Sequence, residues 1–190
     1  MKKNLSYHHG NLKQDLVQLA LDKLKEGIQP GALSIRALAN ELGVSPGAPY
    51  RHFNDSKALI AHLATLGFLE LTSRMDPQGD FSKMGQAYVS FAIENPQWYQ
   101  TMYYLPRQEL DVYTELFAAS YQAYQELTNG VSRLQKQKKS EMIPPSLAAF
   151  AAWGYVHGLA QLAIQKLSFP VNLTEPRVLE ILSQVMLTGL

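Results

Sequence analysis

Ser34-Ile35-Arg36-Ala37-Leu38-Ala39-Asn40-Glu41-Leu42-Gly43-Val44-Ser45-Pro46-Gly47-Ala48-Pro49-Tyr50-Arg51-His52-Phe53 is the stretch that decides the fold. Ser34 is a good N-cap, and Ile35, Leu38, Ala39 and Leu42 after it share one helical face. Gly43 stops that helix, because glycine takes positive φ without a Cβ clash. Val44 folds back toward Leu38 and Leu42, and Ser45-Pro46 supplies a second cap followed by proline at a first helical position. Two short helices joined by Gly43-Val44-Ser45 read as a helix-turn-helix. Pro49 disturbs the second helix, since it lacks the N–H that would reach the Ser45 carbonyl. The expectation is a 3₁₀-like first turn or a later helix start.

This geometry offers its second helix to a DNA major groove while the first braces it. Ser45, Pro46, Gly47 and Ala48 have little bulk, so the helix start approaches phosphates and base edges closely. Tyr50, Arg51 and His52 add hydrogen-bonding side chains at its end, and Ser56 and Lys57 follow a cap at Asp55, within reach of a neighbouring phosphate. Few bidentate base contacts are expected from so small a helix. The plainer reading is a helical hairpin, with Phe53 in the core and the Tyr50 ring packed inward with only its hydroxyl outside.

Outward from this motif the helical pattern continues. Leu12, Leu16, Leu19, Ala20 and Leu24 recur at helical spacing before Gly27, and Leu59, Ile60, Leu63 and Leu66 follow Asp55. The first 55 residues therefore read as a three-helix unit with a fourth helix leading out. Asp76-Pro77-Gln78-Gly79-Asp80 is a break. Beyond it the sequence predicts helices at 81–94, 96–105, 107–137, 145–167 and 175–188, with no sustained strand alternation. The fold class is all-α.

The chain has 190 residues, 46% of them hydrophobic, enough for a sizeable core. Its 17 Lys and Arg oppose 16 Asp and Glu, which disfavours a chain that coats nucleic acid over its whole surface. The charge is uneven, however. Residues 1–60 hold eight basic and five acidic side chains, and the other 130 hold nine and eleven. The positive end therefore coincides with the helix-turn-helix. Zero cysteines exclude thiol chemistry and cysteine metal sites. His8-His9 has no evident third ligand, and there is no His-Glu-x-x-His, phosphate-cradling glycine loop or Gly-x-Ser-x-Gly. The expectation is a protein without catalytic residues, metal or cofactor. No targeting segment is evident, and Leu147–Ile164, borderline in length for a membrane span, reads as a buried helix. A cytoplasmic protein without a membrane partner is expected.

Leu33 to Leu59, with Gly43-Val44-Ser45 and Tyr50-Arg51-His52-Phe53, resembles the DNA-binding domain of TetR/AcrR-type transcriptional regulators. Tyr7-His8-His9-Gly10-Asn11-Leu12, Phe91-Ala92-Ile93-Glu94-Asn95-Pro96 with Tyr99 and Met102, and the Trp-x-x-x-His-Gly pattern at Trp153-Gly154-Tyr155-Val156-His157-Gly158 resemble one subgroup. The resemblance implies that Ser34 and Arg36 approach the duplex from the first motif helix. It places Ser45, Gly47, Ala48, Tyr50 and His52 at the duplex, with Tyr50 and His52 on phosphates. Two places depart from the family's common pattern. Ala48-Pro49 stands where many members have a hydroxyl residue and then Leu or Val, and Ser56-Lys57 where many have Lys and then an acidic residue.

Eleven of the nineteen aromatic residues lie between Phe81 and Tyr124. Seven are tyrosines, and a buried tyrosine hydroxyl needs a partner, so these rings suit a mostly apolar cavity with a few polar points. Trp98, Tyr103, Tyr121 and Trp153 are the expected wall. Gly154 and Gly158 share a helical face that admits a close second helix, and Val178, Ile181, Leu182, Val185 and Met186 form a matching stripe. The expected dimer interface is Gly154, Gly158, Ile181 and Val185, in a four-helix bundle. His157 reads as a satisfied core or interface histidine, and Arg133, Lys136, Lys138 and Lys139 as a solvated helix end.

The expected organisation is a helix-turn-helix domain at 1–58 and a helical regulatory and dimerisation domain at 59–190. The expected function is a homodimeric transcriptional regulator, a repressor of a near-palindromic double-stranded operator released by a small-molecule effector. The alternative is a helical ligand-binding or protein-interaction module whose helix-turn-helix has lost DNA binding.

Overall fold

A computed structural model describes residues 11–75, 80–138, 143–165, 175, 177, 178, 180 and 181. Among them every regular element is helical: α1 (Leu12–Lys25), α2 (Ile35–Glu41), α3 (Ser56–Arg74), α4 (Phe81–Glu94), α5 (Pro96–Met102), α6 (Thr114–Lys138) and α7 (Pro145–Ile164). Three 3₁₀ segments, Pro30–Ala32, Ala48–Arg51 and Arg107–Val112, join them.

The starts and stops follow local chemistry. Ser34 Oγ accepts from the Ala37 N–H at 3.4 Å, Asp55 Oδ1 from Ala58 at 2.7 Å and Asp80 Oδ1 from Ser82 at 2.9 Å. Gly43, at φ 68°, closes α2 with bonds from its own N–H to Asn40 O (3.1 Å) and from Val44 N–H to Ala39 O (3.0 Å). That pair satisfies two carbonyls that a helix end otherwise leaves open. α5 and α7 begin on Pro96 and Pro145, where a missing N–H costs nothing.

Helix α3 is the axis of the molecule. Leu59, Ile60, Leu63, Ala64, Phe68 and Leu71 are buried around it, α1 and α4–α6 pack on it, and α7 closes the far side against α4 and α6. Gly67 lets α5 come close, since a Cβ there would lie 2.7 Å from Met102 Cγ. Trp98 Nε1–H donates to the Leu63 carbonyl at 2.9 Å and fastens α5 to α3. α7 has the length and composition of a bilayer span, but its Ala148, Ala149, Ala152, Val156 and Ala160 face is buried within the bundle.

The second motif helix is 3₁₀ and starts at Ala48, in line with the disturbance expected from Pro49, and the Ser45 carbonyl takes the Ala48 N–H at 3.0 Å. Two sequence expectations are corrected. The helix expected at 96–105 ends at Met102, where Tyr103 and Tyr104 turn through bonds to Gln100 O and Thr101 O, each 3.2 Å. The helix expected at 107–137 is two elements: Arg107–Val112 is 3₁₀, α6 begins at Thr114, and Val112 between them is 76% exposed. Most of the stretch expected at 175–188, with Val185, and the break at 76–79 lie outside the described residues.

A Cβ at Gly43 meets open space, so Gly43→Ala should strain only the backbone. It should destabilise the protein by about 1–2 kcal/mol, and Gly43→Asn by less, both read as midpoint shifts in urea unfolding.

Candidate nucleic-acid interface and aromatic cavity

The first surface is built by burial on one side only. Pro49 and Phe53 turn into the core beside α1, while Ser34, Arg36, Ser45, Pro46, Gly47, Tyr50, Arg51 and His52 are exposed and Ala48 is half-buried. Tyr50 is 40% exposed, so it is not packed wholly into the core. Phe53 packs against the His62 ring with centroids 5.6 Å apart, and Lys13 Nζ lies 5.8 Å from the Phe53 ring centre. The small residues and the hydrogen-bonding ones are thus open to solvent, and His52 also borders a recess with Lys13, His62 and Tyr113.

Two of the residues expected beside phosphate have internal partners. Ser56 Oγ accepts from the Ile35 N–H at 3.4 Å and so ties the start of α2 to the start of α3. Lys57 Nζ donates to both Glu109 carboxylate oxygens, at 2.8 and 3.0 Å, and that carboxylate holds the ammonium more basic than usual. Glu109, on the 3₁₀ segment, was not singled out in the sequence, and a contact spanning 52 residues has no local signal.

The second feature lies among α3, α4, α6 and α7. Phe68, Leu71, Met75, Phe81, Met84 and Val156 make its apolar wall, with Tyr88, Tyr103, Ser120, Tyr124 and Trp153 as the polar points. The free space open to water is about 30 Å³, room for one or two waters. Any larger guest must separate the helices. Of the four expected wall residues, Tyr103 and Trp153 line this cavity. Trp98 lies off it, with its indole N–H on Leu63 O and its ring 5.6 Å from Phe91. Tyr121 also lies off it, 50% exposed and stacked on Phe117.

A knot of hydroxyls closes one end. Tyr88 Oη lies 2.9 Å from Tyr99 Oη, 2.8 Å from Tyr103 Oη, 3.0 Å from His157 Nδ1 and 3.2 Å from Trp153 Nε1. Tyr99 Oη lies 2.7 Å from His157 Nδ1. Trp153 and His157 thus meet the same hydroxyl from one face of α7, which gives their four-residue spacing a physical meaning. Tyr88 and Tyr99 were hidden among many aromatics, because nothing local marks two hydroxyls that converge from different helices. Burial pushes the Tyr88, Tyr99 and Tyr103 hydroxyls well above the usual tyrosine range, and burial also lowers His157.

Tyr103, Trp153 and His157 also border an open apolar groove with Phe150 and Gly154 on the outer face of α7. On that face Leu147, Phe150 and Leu162 are 60%, 62% and 40% exposed, and a Cβ on Gly154 or Gly158 would meet nothing within 4 Å. Ile181 is 53% exposed. Among the described residues there is no His, Cys, Asp and Glu cluster that would hold a metal ion.

An exposed helix-turn-helix on an all-helical body with an aromatic cavity defines a class of regulators. A profile of the family described as "Tetracyclin repressor-like, C-terminal domain" matches residues 81–186, and the chain belongs to the TetR family of transcriptional regulators. A protein of unknown function from Rhodococcus sp. RHA1 has the same fold at 29% identity, with a TM-score of 0.80 over 98% of both chains. The TetR family regulator PfmR from Thermus thermophilus superposes with a TM-score of 0.64 at 19% identity, over 93% of this chain and 98% of its own. The uncharacterized HTH-type transcriptional regulator YobS of Bacillus subtilis (strain 168) is 35% identical over 83 residues. That match spans 40% of this chain and 42% of the relative's length.

The folded protein keeps His157 and His62 neutral at pH values where the unfolded chain protonates them. The unfolded chain then binds more protons, so stability falls as pH drops through about 6.5, the ordinary histidine value. The Tm should decline between pH 7.5 and 5 (about the span in which histidine titrates), and His157→Gln should flatten that decline in scanning calorimetry. An unchanged slope in the variant assigns the loss elsewhere.

Proposed function

We propose that the protein is a homodimeric repressor of a near-palindromic operator, released when a small molecule occupies the aromatic cavity. In this reading residues 1–58 form the DNA-binding domain and 59–190 the regulatory and dimerisation domain. The observation that carries it is the exposed face of Arg36, Ser45–Gly47 and Tyr50–His52 on a family member. Tyr50, Arg51 and His52 meet phosphates, while the small residues before them let the backbone approach the groove. Ser34 and Ser56 set the pose of α2 through Ala37 and Ile35 N–H. Lys57 stays on Glu109 until DNA competes for it.

The exposed α7 face supports a second copy of the chain as its occupant. Gly154 and Gly158 leave room for a helix to approach, and Leu147, Phe150 and Leu162 supply apolar area around them. Two-fold pairing there would present two motifs to successive major grooves, roughly 34–36 Å apart or a multiple of it. Such a regulator works in the cytoplasm, where operator DNA is.

Release follows one stretch of chain. Tyr103 lines the cavity, the Tyr104 hydroxyl sits over Gly31 in the first 3₁₀ segment, and Glu109 holds Lys57 at the start of α3. A guest that displaces Tyr103 pulls on both contacts beneath the motif. The effector then favours a pose of the two motifs that no longer fits the operator.

A mobility-shift titration on DNA selected from a random pool tests the DNA-binding reading. Wild-type protein should give specific retardation whose affinity falls steeply with salt, and Arg51→Ala should reduce the log–log salt slope by about one unit. Absence of any specific retardation would leave the alternative of an interaction module. A separate outcome addresses release: Glu109→Gln should keep effector affinity but cut, by about fivefold or more, the factor by which effector weakens DNA binding. An unaltered factor removes the Lys57–Glu109 pair from the coupling.

A further inference from the structure

We infer that the cavity selects uncharged, mostly apolar molecules that carry one hydroxyl group, seated against the Tyr103 hydroxyl. The inference rests on the reading of the cavity as the effector site and adds its chemical class. None of the fifteen lining residues carries a charge. The tyrosines that reach it stay protonated, because burial raises them well above their ordinary range. No phenolate is there to meet a cation and no cation to meet a carboxylate, and a charge taken from water without a partner costs several kcal/mol.

The position of the polar handle follows from counting protons in the knot. Trp153 Nε1 only donates, so Tyr88 Oη accepts from it. Tyr88 has one proton and two acceptor sites for four neighbours, and its 3.0 Å contact with His157 is left out because Tyr99 takes Nδ1 at 2.7 Å. Two orders of the chain remain. With Nδ1 bare, Tyr103 donates to Tyr88, Tyr88 to Tyr99 and Tyr99 to His157. With Nδ1 protonated, every step reverses, and Tyr88 donates to Tyr103. In both orders Tyr88 and Tyr99 have spent their protons within the knot. Within the knot Tyr103 alone faces the cavity with capacity to spare, as an acceptor in the first order and a donor in the second. A hydroxyl both donates and accepts, so it is met in either order, whereas a ketone, which only accepts, or a pyrrole-type N–H, which only donates, fits only one.

The other polar points narrow the choice further. Tyr124 Oη already donates to Ser146 O at 2.7 Å and Ser120 Oγ to Phe117 O at 2.9 Å, so both offer only acceptor sites. An anion, which needs donors, finds none from them.

The test uses the purified full-length protein and four probes of one shape: para-butylphenol, butylbenzene, para-butylbenzoate and para-butyl-trimethylanilinium. Binding is read by calorimetry and by Trp fluorescence, with Ala123→Leu filling the cavity as the control for location. The phenol should bind about tenfold more tightly than butylbenzene, the gain of one neutral hydrogen bond, and both charged probes more weakly than either. Tyr103→Phe, which keeps the ring and is checked by its circular dichroism and Tm, should erase the phenol's advantage and leave butylbenzene affinity unchanged. Equal or tighter binding of a charged probe overturns the uncharged class, and a phenol preference that survives Tyr103→Phe overturns the placement of the handle. If no probe of any class binds, or if binding survives Ala123→Leu, the reading of the cavity as the effector site fails instead.

Discussion

Helix α3 is apolar nearly all round, and that constraint organises everything else. A helix with one apolar stripe needs one neighbour; α3 buries Leu59, Ile60, Leu63, Phe68 and Leu71 on several sides and needs a full shell. The helix-turn-helix, α4, α5 and α6 supply it, and the buried residues of both ends form one continuous hydrophobic cluster. The same helix carries Ser56 and Lys57 in its first turn and Phe68 and Leu71 at the cavity. One helix therefore runs from the motif to the cavity wall.

Polarity is rationed inside this shell. The hydroxyls of Tyr88, Tyr99 and Tyr103 converge with Trp153 and His157 at 2.7–3.2 Å. Each group there is costly if left unpaired, so the knot fixes how α4, α5 and α7 meet. It also stands between the inner cavity and the outer groove beside Gly154. Tyr103 and Trp153 therefore line both the inner cavity and the groove on the exposed α7 face.

Much of the local structure was legible because it rests on nearest-neighbour chemistry. Ser34, Gly43, Asp55, Pro96 and Pro145 mark helix ends through caps, positive φ or missing N–H groups, and α4 runs over 81–94 as its apolar spacing predicts. Pro49 was legible too: it turns the Ser45 carbonyl to Ala48, and the second motif helix is 3₁₀ as a proline there leads one to expect. Errors arose further along the chain. Arg107–Val112 looks helical by composition, but Pro106 O accepts from Glu109 N–H at 2.9 Å in a 3₁₀ turn, and Val112 is exposed. Among the aromatics, spacing could not tell Tyr103, on the cavity, from Trp98 and Tyr121, which pack elsewhere.

By itself the sequence determined an all-helical chain, a helix-turn-helix near its basic end and the family to which it belongs, because caps, turns and apolar periods are encoded within a few residues. The tertiary structure alone decided which hydroxyls meet, that Lys57 rests on Glu109, and that a cavity without charge lies behind Trp153. Those contacts join residues 11 to 69 positions apart. Their geometry depends on how whole helices pack, and no local pattern carries that information.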